Sequence, residues 1–421
     1  MPGGSTIERA FSRLWHPLLA VLTLVAVLVG SAGRAVQAAA PTADGTWAGH
    51  WDALAAVDGA QASLVGLHRA KGGSGLVLDA GAPNGEYVSA AHDMGHEYMA
   101  VGVSWVAQLP TGTSLAVEVR QSLDRVAWES WHPLVPEDAG PDAAPKGPLF
   151  SELVFGQGRY VQVRATLSGG SSTPAPGLET LKVVAIDARP GPQPATGEPA
   201  ASPLGTAEGL TPPPIISRAG WGANESWMTW PPAYAPVTHF VIHHTDTSNT
   251  SADSDPAAVI RSIYYYHAIT RGWGDIGYNI LIDRQGRIYE GRYGGPNVIG
   301  GHAAPYNAGT IGVAILGTYA TDAVPDPALS WLETFIACKC SAYGIDPLGS
   351  GWLRDRTFPD VMGHRDCNNT TCPGDRAYAF LPQIRSGAAA LMAGPSVTLA
   401  QPAANAALSG ISPVSWQAAP G

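Results

Sequence analysis

Cysteine is scarce and confined: there are four in 421 residues, at 338, 340, 367 and 372. A chain stapled throughout by disulfides is excluded, and any thiol chemistry belongs to one region. Charge is sparse too, at 14% of residues, and the basic side is the poorer, with 24 Lys and Arg against 34 Asp and Glu, a formal net charge of −10. That balance excludes electrostatically driven binding to nucleic acid or to an anionic membrane surface. No HExxH motif occurs, so the helical zinc-protease signature is absent. What the chain has in excess is glycine and proline, 50 and 36 residues, alongside 45% apolar residues. The apolar share excludes a disordered polymer, and the turn formers favour strands and loops over helices. At about 150 residues per domain, the length suggests two or three domains.

Long hydrophobic runs are also few. The only candidate lies at about 17–32, behind Arg9 and Arg13 and ahead of the small-residue stretch AVQAAA. This is the build of a secretory signal over 1–38, cleaved after Ala38; it is short of the ~20 apolar residues of a spanning helix, and an uncleaved anchor is the alternative. The expectation is an exported, extracellular or wall-associated protein without stable membrane insertion, in a compartment that permits disulfides.

Residues 39–188 show period-two alternation in short runs. MAVGVSWVAQL (99–109) places Val101, Val103 and Trp105 on one face, and SLAVEVRQSL (114–123), RYVQVRATL (159–167) and LKVVAIDA (181–188) follow the same rule. The spacing predicts an all-β antiparallel sandwich of about eight strands. LPTGT (109–113) reads as a strand end and turn. Trp128 and Trp131 are either a carbohydrate platform or edge packing. Six prolines among Gly, Ala and Thr make 189–212 a spacer. In 213–393, apolar strand runs at 238–244, 278–284 and 310–317 interleave with helical patterns at 255–270, 327–343 and 376–392. That is an α/β domain with a central mixed sheet flanked by helices. The tail 394–421 reads as the start of a further β domain.

The chemistry-bearing residues cluster in the α/β part. His243 and His244 are neighbours on a predicted strand, so only one faces a given site. His364 and Cys372 lie eight apart in a Gly/Asn/Thr-rich loop. One strand histidine with that pair gives a two-histidine, one-cysteine set, the ligand count of a catalytic zinc with an open fourth position. A four-cysteine zinc site is excluded, because Cys338 and Cys340 diverge by about 200° on a helix. A disulfide from one of them to Cys367 is expected instead. The helical stripe of Leu329, Leu332, Ile336, Cys340 and Tyr343 favours Cys340 as its partner.

The motifs ISRAGWGA (216–223), VIHHT (241–245), GWGDIGYNILID (272–283), IYEGR (288–292), GGHA (300–303), YNAGTIGVAILG (306–317) and GHRD…TTCPGD (363–375) resemble, in order and spacing, those of the type-2 N-acetylmuramoyl-L-alanine amidases. That family includes animal peptidoglycan recognition proteins and phage amidases. The preceding β part is similar to that of secreted bacterial multidomain members. The resemblance implies Zn²⁺ held by His243, His364 and Cys372, with His244 turned away. Tyr278 matches the catalytic tyrosine, and Thr370, counted with it in the implied catalytic set as an orienter of water or substrate, stands where some members carry lysine and recognition proteins often threonine. His302 and Asn307 match positions lining a peptidoglycan groove. The implied reaction is cleavage of the amide between N-acetylmuramic acid and L-alanine; the alternative is a non-catalytic peptidoglycan receptor on the same fold, whose members typically lack the cysteine ligand. Two departures stand out. Tyr293-Gly294-Gly295-Pro296 follows EGR where animal members often have Gly-Trp, and the sequon Asn369-Thr370-Thr371 falls within the ligand loop, where a glycan would crowd a metal.

Overall fold

The computed structural model describes residues 45–421 apart from 60, 74, 138–139, 143–146, 170–173, 192–209, 296, 395, 402–414 and 420–421. The signal segment 1–38 lies outside the described residues, as do most of the spacer and half of the tail. Within the tail, Ser396–Gln401 and Ser415–Ala419 pair antiparallel. Among the described residues no helix is long and apolar enough to cross a membrane.

Among the described residues the N-terminal part is built of strands, eleven of them in one pairing network rather than about eight. Its frame is β1 (Trp47–Asp52), β2 (His92–Gln108), β3 (Ser114–Ser122), β4 (Val154–Ser168) and β5 (Gly177–Asp187). All pair antiparallel: β5 with β1 and β2, and β4 with β2 and β3. The register of β4 against β2 shifts around Gly158, which bends these long strands around the core. The alternating residues Val103, Trp105, Val119, Val163, Leu181 and Val183 fill that core, as the period-two pattern requires. The predicted turn after β2 forms, with the Thr113 N–H bonded to the Pro110 carbonyl.

The opposite face of β2 and β5 is apolar as well. Ala100, Val184, Ile186 and Ala188 belong to a core shared with the α/β part. That part holds a six-stranded sheet of β6 (Ile215–Ile216), β7 (His239–His244), β8 (Ile280–Ile282), β9 (Ile288–Glu290), β10 (Thr310–Ile315) and β11 (Val361–Gly363). The order is β6-β9-β8-β10-β7-β11, parallel except for β8 against β9, so the sheet is mixed as expected. Helix α1 (Pro256–Tyr265) covers one face; α2 (Asp326–Tyr343) and α3 (Leu381–Ala393) cover the other.

Helix α1 starts where Asp255 and Pro256 say it should: the Asp255 carboxylate accepts from the Ala258 N–H at 2.9 Å. All ten of its residues are buried. A helix apolar all round needs a partner on each side, and here the sheet supplies one and the β part the other. Its single charge, Arg261, donates to the carbonyls of Ala188 (3.1 and 2.8 Å) and Trp221 (2.9 Å), tying the two parts together. Arg261→Ala strands these buried acceptors and is expected to lower the unfolding free energy by about 2–4 kcal/mol in urea titrations.

The expected Cys340–Cys367 bridge is not formed; all four cysteines are free thiols. The stripe on α2 is correct, since Cys340 is buried beneath the sheet with Phe240, Ile242 and Val361. Cys367 packs with Val241 and Met362. These residues alternate with the first set along β7 and β11, so the sheet separates the two sulfurs.

Candidate metal centre

Two neighbouring strands and a loop bring the ligand candidates together. Parallel pairing places Ile242 of β7 opposite Gly363 of β11. The next residues, His243 on β7 and His364 just past the end of β11, therefore stand side by side, with ring centroids 4.4 Å apart. The loop after a short helical turn, His364–Cys367, returns Cys372 to the same point, its Sγ 3.7 Å from His243 Nδ1. The donor atoms of His243, His364 and Cys372 lie within 4.8 Å of one another, and all three residues are buried. His244 points elsewhere: its Nδ1 accepts from the Tyr319 N–H at 3.3 Å. The ligand loop is braced by Arg365, which pairs with Asp375 at 2.7 Å and donates to the Thr371 carbonyl.

His302 decides which nitrogen of His243 is free. The Thr310 hydroxyl donates to the carbonyls of Tyr306 (2.8 Å) and Asn307 (2.9 Å), so toward His302 Nε2, 3.3 Å away, it accepts. His302 Nδ1 is then left as the acceptor for His243 Nε2–H at 3.1 Å, and the lone pair of His243 Nδ1 faces Cys372. A backbone carbonyl pair thus sets the tautomer of a ligand two hydrogen bonds away, the usual outer-shell arrangement of a metal histidine. Gly312 makes this packing possible, because a Cβ there would meet the His302 ring at 2.3 Å.

Burial drives the electrostatics. It pushes His243 well below its ordinary value, assisted by His364 and His302; it takes His302 down to about 3 and His364 down to about 4. The imidazoles are therefore neutral, as ligands must be. Burial, then Glu152, pushes the Cys372 thiol well above its ordinary value, so a thiolate there needs a cation beside it. His364 Nε2 is buried without a hydrogen-bond partner. An orphaned imidazole nitrogen, a second imidazole with its lone pair turned inward and a thiol in need of a cation fit zinc in both donor type and number.

The remaining predicted residues take clear places. Tyr278 is buried, its ring centroid 5.4 Å from that of His243, and burial raises its phenol well above the ordinary value. Thr370 Oγ1 accepts from the Cys372 N–H at 3.2 Å, so it braces the ligand loop. Asn307 accepts from the N–H groups of His302 and Ala303, both at 2.8 Å, shaping the loop beside the site. Trp128 and Trp131 have Arg120 over both rings, at 4.8 and 4.5 Å, which is edge packing by the chain's own cation.

Several residues that matter went unread in the sequence. Asp275 of the GWGDIGYN motif is fully buried and anchors the Tyr278 loop through Arg218 (3.0 Å), Arg292 (2.5 Å) and the N–H groups of Ile276 and Tyr293 (2.8 and 2.9 Å). Glu137 and Glu152 reach the centre from the β part, lining a small cavity beside Tyr278 and His267. His267 Nδ1 accepts from the Gly277 N–H at 3.1 Å, a structural role.

Residues 233–375 match the family model described as N-acetylmuramoyl-L-alanine amidase. Peptidoglycan recognition protein 1 of Bos taurus is 34% identical over 170 residues, 40% of this chain and 83% of the relative. Peptidoglycan-recognition protein SC1a of Drosophila melanogaster is 34% identical over 165 residues, 39% of this chain and 82% of the relative. The chain belongs to the type-2 amidase and peptidoglycan recognition protein family. A solved structure of PGRP-LE in complex with tracheal cytotoxin, a monomeric diaminopimelic acid-type peptidoglycan, is 30% identical, covering 40% of this chain and 92% of that one with a TM-score of 0.35. The matched segment of this family member contains every candidate ligand, together with Tyr278, His302, Asn307 and Thr370.

Proposed function

We propose that the protein is an exported zinc-dependent N-acetylmuramoyl-L-alanine amidase that cleaves the bond between the lactyl group of N-acetylmuramic acid and the L-alanine of the stem peptide. The observation that carries this reading is the complete, buried His243–His364–Cys372 set, since a receptor needs no such donors. Zinc in that set supplies an activated water near neutral pH and Lewis acidity toward the scissile carbonyl.

The chain's own residues then have definite tasks. His243 and His364 stay neutral through burial, and His302 holds the His243 ring in the ligating tautomer. Tyr278, kept protonated by burial, is the donor for negative charge developing on the carbonyl oxygen. Thr370 holds the Cys372 backbone and has no acidity to act as a base. His302 and Asn307 border the groove for the glycan and stem peptide. For the β part, which shares a core with the α/β part, wall association is the proposed role.

The test is digestion of purified sacculi by the full chain, with zinc and with a chelator, scored by new L-alanine amino termini. Release with zinc and none with chelator is the expected result. Binding to sacculi without release under any zinc condition favours the receptor reading instead.

A further inference from the structure

The centre is covered by the chain's own N-terminal part. Glu137 pairs with the buried Arg271, which also donates to the Glu137 carbonyl at 3.1 Å. Gly140 lies against Trp273 so closely that a Cβ would sit 2.9 Å from the ring. The side-chain amide of Asn307 donates to the Gly140 carbonyl at 2.6 Å and to the Asp142 carboxylate at 2.8 Å. Behind them, the Ser151 carbonyl accepts from the Tyr266 hydroxyl at 2.7 Å, and Glu152 and Leu153 stand beside Tyr278. The space left there is about 20 Å³, enough for one water. A sugar-peptide needs a pocket of roughly 300 Å³ or more.

Resting on the amidase reading, we propose that Glu137, Gly140–Asp142 and Ser151–Leu153 occupy the substrate groove as an internal pseudo-substrate, so the folded chain works slowly until these residues are displaced. The chemistry of the contacts favours an occupant over a wall. Arg271 and the Asn307 amide are donors, and the segment offers them two carboxylates and two backbone carbonyls, the groups that a stem peptide also presents. Arg271 and Asn307 become the donors that substrate carboxylates and carbonyls claim once the segment leaves.

The test uses the full chain and the triple variant Glu137→Ala, Gly140→Val, Asp142→Ala. Binding is measured with a labelled soluble disaccharide-tetrapeptide, and cleavage with sacculi and zinc. The expected result is at least tenfold tighter binding and at least tenfold faster release for the variant. Equal values in the two proteins, or weaker binding by the variant, overturn the proposal. Tighter binding with no cleavage by either protein leaves the occlusion standing and removes the amidase reading. Should the variant fail to fold, hydrogen exchange on the unaltered chain decides. Saturating fragment is expected to speed amide exchange in 148–153, and unchanged exchange with fragment bound overturns the proposal.

Discussion

Cys372→Ser is expected to cost the protein its zinc, and amide cleavage with it, while leaving the fold in place. The substitution is nearly isosteric at a buried position, so packing changes little. What goes is the one donor of the set able to carry negative charge. Loss of an outer-shell partner costs about 10–100-fold in metal affinity; loss of a ligand is expected to exceed that range. The proton count makes the prediction sharper. His364 is held to about 4 by burial and His243 lies well below its ordinary value, so near pH 6–7 neither has a proton to give up. The Cys372 thiol, raised by burial and then by Glu152, has one. Zinc binding is therefore expected to release about one proton from the ligand set, with affinity rising about tenfold per pH unit. In the Cys372→Ser variant that slope disappears. Calorimetry in buffers of different ionisation enthalpy measures the proton count, and retained zinc with an unchanged slope would remove the thiol from the site.

Much of this centre was legible because its local rules are short-range. Asp255-Pro256 marks the start of α1, and the apolar run along 238–244 marks a buried strand. Which of His243 and His244 ligates was a different matter. Period alone cannot choose between two buried neighbours; the choice follows from the pairing of Ile242 with Gly363, which puts His243 next to His364. The disulfide failed for the same reason. The α2 stripe correctly buried Cys340, yet spacing does not reveal on which side of the sheet a loop residue such as Cys367 packs. Glu137 and Glu152 lie more than 90 positions from the nearest ligand and follow no period, so nothing in their own sequence marks them. The signal that did exist was indirect. LKVVAIDA is apolar on both faces, and α1 is apolar all round, so each declares a second packing partner without naming it. The structure shows that the two are each other's partner.

The metal-free protein is expected to lose stability steeply as pH falls from about 6.5 toward 4, and the buried histidines are the reason. In an unfolded chain each titrates at about 6.5. Folded, His302 drops to about 3 and His364 to about 4, both through burial first, and His243 also falls well below its ordinary value. Between the folded and unfolded values the unfolded chain binds more protons, so unfolding free energy rises with pH and is lost on acidification. At pH 5, His302 and His364 each cost about 2 kcal/mol, about 4 kcal/mol together, comparable to much of a domain's net stability. Glu152 works the other way. Burial, Asp246 and Glu137 raise it well above its ordinary value, so its contribution is present at low pH and lost as pH rises through that value. Glu129, Asp142, Glu333 and Asp360 are raised too, less than Glu152, while His244 and His267 are lowered beside the three histidines, so the sign holds. Cys372 is raised above the window and stays protonated through it. Urea midpoints at pH 7 and 5 in chelator measure the loss. His302→Asn is expected to be less stable than the parent at pH 7 yet to lose about 2 kcal/mol less on going to pH 5. Saturating zinc, whose affinity for the folded site rises with pH, is expected to add more stability at pH 7 than at pH 5 and so to steepen the profile. A metal-free midpoint unchanged between the two pH values would mean that these histidines take up protons in the folded state, and their burial as neutral ligands would not survive that result.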